Sequence, residues 1–256
     1  IKAGSFVADE EAQAPALEVM PVGKTSSESG HRFLERKPIR FLIFATIAIL
    51  IGGIVEVIPT YLIKSNIPTI TSVKPYTPLE LQGRDIYVKE GCYNCHSQMI
   101  RPFRSETERY GEYSKAGESV YDHPFQFGSK RTGPDLAREG VKTGRNYKPD
   151  AWHYNHFIDP QKMNEASIMP AYPWLAKKEI DIQSTPGKIR AMKLLGVPYP
   201  DNYEHQAIAD LKAQADSIAK NLATAGIQTD SNREIIALIA YMQRLGVDIM
   251  NKPVKE

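Results

Sequence analysis

The stretch 90-EGCYNCHSQMIRPFR-104 holds both cysteines of the chain, Cys92 and Cys95, with His96 directly behind them. Two cysteines at this spacing serve as a dithiol redox pair, as half of a zinc site, or as the attachment point of a haem. A thioredoxin-like pair follows a strand in a βαβ pattern. Here a helical pattern, 79-LELQGRDIYVKEG-91, precedes it, and no strand-like alternation stands out. A zinc site needs two further ligands. The pair His153 and His156 offers them, but an i, i+3 pair of this kind more often marks a solvated helix face. Two thiols followed at once by an imidazole suit a c-type haem, the thiols bonding the vinyl groups and the His binding the iron.

With His96 on the iron, the second axial position decides the chemistry, and a Met thioether gives a saturated electron-transfer centre of raised potential. The downstream candidates are Met99, Met163, Met169, Met192, Met242 and Met250. Met99 is too near His96 in sequence to reach the far face of the ring. Met242 sits in an amphipathic helix and reads as core. Met163 and Met169 fall in loop sequence. Met169 is the choice, because Pro170, Pro173 and Trp174 stiffen its loop. In 133-GPDL-136 the carbonyl of Pro134 is the expected acceptor for the free ring N–H of His96. Arg131, beside Lys130, is placed to pair a propionate.

The location agrees with a haem attached outside the cytoplasm. From Phe41 to Ile63 the chain reads FLIFATIAILIGGIVEVIPTYLI, with Glu56 as its only charge. As a helix this run spans roughly 34 Å, enough to cross a bilayer. It is too long for a signal peptide and lacks a small-residue cleavage site after it. Lys24, Arg32, Arg36, Lys37 and Arg40 precede it against Glu28 and Glu35, whereas Lys64 alone follows before Lys74. The positive-inside rule puts residues 1–37 in the cytoplasm as a tail, 38–63 across the membrane, and the rest on the outer side, the periplasm. Glu56 near the outer end reaches interfacial water or meets a partner helix. A net charge of +2 without a basic stripe gives no pull toward nucleic acid, and two cysteines exclude a disulfide scaffold.

Beyond the anchor, residues 64–76 read as a Pro-punctuated linker and 77–256 as a mainly α domain. Thr77-Pro78-Leu79-Glu80 is a helix start with a capping box. A loop-rich stretch covers 97–150, a short helix 150–158, and a helical insertion about 176–230, broken at 196-GVPYPDNY-203. The last helix is 231-SNREIIALIAYMQRLG-246, capped by Ser231 or Asn232 and stopped at Gly246. Its Tyr241 is placed to pack on Gly83, where a missing side chain lets the two helices cross closely.

A first helix, C-x-x-C-H, G-P-x-L, an M-P loop and a last helix ending A-Y-x-x-x-L-G together resemble class I cytochrome c. More specifically, ELQGRDIYVKEGCYNCHSQMIRPFR, ERYGEYS, YDHPFQFGSKRTGPDLAREG and SIMPAYPWL resemble the membrane-anchored mono-haem subunit of cbb3-type cytochrome c oxidase. The resemblance runs from about Thr77 to Leu175, with the anchor and the last helix. It implies one covalent haem c with His96 and Met169 as axial ligands. It also implies a catalytic partner carrying b-type haems and copper, and a dihaem cytochrome c subunit. The chain is then a non-catalytic relay in the bacterial inner membrane, passing electrons toward the oxygen-reducing subunit. The alternative is a free-standing membrane-anchored cytochrome c serving other reductases. A weaker one is a haem-free structural subunit with an incidental C-x-x-C. The acidic stretch 1–30, beginning at Ile1, reads as the end of a fused upstream catalytic subunit.

Overall fold

The computed structural model describes residues 36–63, 68–128 and 130–250. The expected tail and residues 64–67 of the expected linker thus lie outside the described residues, apart from Arg36 and Lys37. The chain divides into two units, one ending at Lys64 and one from Ser65 onward.

The first unit is described as one helix, α1 (Pro38–Leu62). Pro38 occupies its first turn, where a missing N–H costs nothing. The helix is long and apolar enough to cross a membrane over Pro38–Thr60. Its aliphatic side chains point outward, Ile39, Leu42 and Ile49 among them. Such a surface needs an apolar surrounding. Pro59 lies inside the last turn, and the Thr60 hydroxyl donates to the Glu56 carbonyl at 2.8 Å.

The regular structure of the second unit is helical. Among its described residues no strand forms, and a single antiparallel bridge joins Glu179 to Arg233. The core is a crossing of α2 (Pro78–Lys89) with α8 (Glu234–Arg244). The capping box starts α2 as expected: Glu80 N donates to Thr77 Oγ1 at 3.3 Å, and Thr77 N donates to Glu80 Oε2 at 2.8 Å. The helices meet at Gly83. A Cβ there would overlap the Ala237 carbonyl and crowd Tyr241 Cβ. Tyr241 lies between the rings of Tyr76 and Tyr87, at 5.8 and 5.4 Å, and its hydroxyl donates to Gln98 Oε1 at 3.1 Å.

Between them come α3 (Arg104–Tyr110), α4 (Asp150–Ile158), α5 (Pro160–Met163), α6 (Thr185–Leu194) and α7 (Ala207–Thr224), with α9 (Val247–Met250) at the end. In α7, Ala207, Leu211, Ala215, Ile218 and Leu222 repeat at helical spacing and are buried. That face packs on α2, α4 and α8, so this region belongs to the core. Ile189 and Met192 of α6 pack with Leu81, Val197 and Tyr199. Each such aliphatic side chain contributes roughly 1.5–3 kcal/mol on burial.

One expectation needs correction. No side chain caps α8: Arg233 holds the cap position, and neither Ser231 nor Asn232 supplies a bond. The neighbouring segment satisfies the backbone instead, with Glu234 N donating to Lys178 O at 2.9 Å and Ile180 N to Asn232 O at 2.8 Å. The described end of the expected linker bonds to the helical domain at Lys74. Lys74 N donates to Asp248 Oδ2 at 2.8 Å, and Arg244 donates to Lys74 O at 2.9 Å.

Candidate functional site

The site grows from the end of α2. Gly91 takes φ +74°, a left-handed conformation that suits glycine, and turns the chain out of the helix. Cys92–Asn94 then forms one 3₁₀ turn. Cys95 N and His96 N both donate to Cys92 O, at 3.1 and 3.0 Å. Residues three apart eclipse in such a turn, so the two cysteines project alike. Both line one cavity of about 480 Å³, together with His96, Pro134 and Met169. Leu136, Phe157, Leu238 and Met242 supply apolar wall.

His96 is held from behind by the 133–136 segment. Its Nδ1 lies 2.8 Å from Pro134 O. Gly133 N donates to Cys95 O at 2.9 Å, and Leu136 N to Ser97 O at 2.8 Å. A side chain on Gly133 would overlap the His96 ring. Burial pushes the His96 pKa down, against the Pro134 hydrogen bond. A neutral imidazole donating Nδ1–H to Pro134 keeps the Nε2 lone pair for a metal. Burial pushes the Cys92 thiol up to about 12. A thiol this weakly acidic is not the thiolate of a dithiol oxidoreductase.

Met163, expected in loop, closes the short helix α5, and both it and Met169 line the cavity. Met169 is half-buried and packs on the main core, whereas Met163 is exposed at the end of α5. Arg131 does not line the cavity. Its guanidinium donates to Ser97 Oγ and Met99 O, both at 2.8 Å, and pairs with Glu106 at 2.6 Å. These partners tie it to the segment behind His96.

The cavity also takes in Glu139, Lys148 and Trp152, which spacing alone did not single out, and the pair His153 and His156, whose spacing suggests a solvated helix face. His153 and His156 are not a solvated face. His153 is 3% exposed, and burial pushes its pKa down to about 3. The signal was present in the sequence, because His153 and Phe157 are four apart on α4 and form its buried side. Trp152 stacks on His156 at 4.3 Å.

The cavity fits a haem. It is of prosthetic-group size, its walls carry a neutral imidazole, two thiols and a thioether, and a glycine leaves room for the imidazole. His153 Nε2 and His156 Nδ1 stand on the same wall, buried and without a hydrogen-bond partner. Among the described residues no group of three or more His, Cys, Asp or Glu could hold a bare metal ion, so the zinc reading gains no support.

The model of the family described as cytochrome C oxidase, mono-heme subunit/FixO matches residues 31–249. The chain belongs to this family. Members are mono-haem subunits of cytochrome c oxidase, so one haem, electron transfer and a catalytic subunit as partner come with FixO membership. No curated protein matches the chain significantly.

Proposed function

We propose that the chain is the electron relay of a cbb3-type oxidase, with one haem c tethered in this cavity through Cys92 and Cys95. His96 and Met169 are its axial ligands, and Pro134 accepts the Nδ1–H of His96. The observation that carries the reading is the convergence of Cys92, Cys95, His96 and Met169 on one apolar cavity. Bound there, haem supplies a one-electron iron couple. The residues do the rest. The thioether bonds hold the ring, Pro134 fixes the imidazole tautomer, and the apolar walls exclude water. With both axial positions filled by the chain, oxygen reduction falls to the catalytic partner with its b-type haems and copper, and a dihaem subunit completes the complex. The haem domain lies in the periplasm and α1 anchors it. Membership in an oxidase-subunit family favours this role over a free-standing shuttle.

Met169→His tests the relay. A thioether raises the potential of a haem iron relative to a second imidazole. The variant keeps a low-spin haem with a potential lower by about 0.2 V, ~5 kcal/mol for one electron. Oxygen uptake by the assembled oxidase falls. An unchanged potential in a redox titration assigns the ligand to another residue, with Met163 next in line. A lowered potential with full oxygen uptake takes this haem off the electron path.

A further inference from the structure

Glu139 is a carboxylate that the relay does not use. It follows the 133–136 segment and is 6% exposed. Glu139 N donates to Leu136 O, and Gly140 N donates to Leu245 O, so its backbone is tied at both sides. Its carboxylate and the His153 imidazole stand on the wall of the haem cavity, with Oε1 3.9 Å from Nε2. That Nε2 is buried and has no hydrogen-bond partner. The other groups around Glu139 are few. Lys148, in the loop before α4, is the cation that faces it. His156 lies one turn beyond His153 on α4. Arg138 is turned away, bonded to Glu118 at 2.7 Å. On α8, Gln243 is neutral and donates to Lys148 O and Asp150 Oδ1, while Arg244 is bound to Asp248 and Glu80.

We propose that Glu139, held against His153 in the cavity wall, is a proton site coupled to the electron on the haem. The proposal rests on the haem reading above. A reduced one-electron donor converts Fe(III) to Fe(II), and a proton from water converts the Glu139 carboxylate to the acid. Reoxidation by the next carrier returns both. The coupling is electrostatic. A buried carboxylate stabilises the more positive ferric state, and its protonation removes that preference. Burial has already raised the Glu139 carboxyl to about 7, against the pull of Lys148, so the exchange falls within the working range of pH. His153 stays neutral across that range and contributes no competing proton.

The test is a redox titration of the intact holoprotein between pH 6 and 8. The wild-type potential falls as pH rises, with a limit of about 59 mV per tenfold change in proton concentration for a one-electron couple. Glu139→Gln flattens the profile, and its potential at pH 8 lies above that of the wild type. A flat wild-type profile overturns the proposal. So does a slope that survives in Glu139→Gln, which assigns the proton elsewhere, for example to the haem's own carboxylates. Should the variant lose haem, the wild type still decides. An indicator dye reads proton uptake on reduction, and a reduced-minus-oxidised infrared spectrum in H₂O and D₂O shows a carboxylic acid band appearing. No uptake, or no such band, overturns it. Failure of the haem reading itself shows separately, as covalent haem persisting when Cys92 and Cys95 are both replaced by Ala.

Discussion

Gly133 is a glycine because an imbidazole-sized space must stay open beside it: any side chain there would overlap the His96 ring. Gly133→Ala therefore strains the site by about 1–3 kcal/mol. The expected outcome is a smaller low-spin haem fraction in the visible spectrum. Gly52→Ala in α1 is the control, since nothing lies within 4 Å of its new methyl group. A second residue-scale expectation concerns acid. Burial works to raise the Glu106 carboxyl, but hydrogen bonds from Arg131 and Arg101 outweigh it and take the pKa down to about 2. A folded pKa below the unfolded value, ~4.3, gives stability that is present above that value. It is lost as pH falls from about 4 toward 2. Glu106→Gln removes this part of the acid-unfolding slope in a circular dichroism titration. Cys92, Cys95, His96 and Pro134 were legible because motif spacing speaks for itself. Glu139 was not, because only burial distinguishes it from a solvated charge, and the burial of His153 shows in sequence only through its i, i+4 spacing to Phe157. The partners of Arg131 were not legible, because they come from distant segments, here Glu106 and Ser97.

At the scale of elements, α2 was legible to its cap because the capping box is local chemistry. The start of α8 was not, since backbone groups of 178–180 replace a capping side chain and only the fold brings them there. Helix α3 was not singled out within the loop-rich stretch 97–150; at seven residues it has too few turns to give a period. The region 176–230 looks polar in sequence, yet the apolar stripe of α7 closes the core behind α2 and α8. Leu211, 1% exposed, belongs to that stripe. Leu211→Ala is expected to cost about 2–5 kcal/mol in denaturant unfolding. Leu194→Ala, at a side chain 89% exposed, should leave stability within about 0.5 kcal/mol. Equal losses for the two would contradict the assignment of α7 to the core.

At the scale of the whole molecule, an apolar helix and a helical domain with a haem-sized cavity match a family of mono-haem oxidase subunits. The division was legible because a lipid-length apolar run and a globular pattern differ in composition. The proposed orientation rests on the basic residues before α1. Protease added to intact spheroplasts should digest the haem domain, and cleavage confined to residues before α1 would reverse the topology. The central claim is that Cys92 and Cys95 hold a single haem in the cavity. Its most direct test is the intact mass of the denatured native chain, compared with that of the variant carrying both Cys92→Ala and Cys95→Ala. The account predicts the mass of the polypeptide plus one haem in the native chain and of the bare polypeptide in the variant. A native chain that releases its haem on denaturation, and weighs as bare polypeptide, would contradict it.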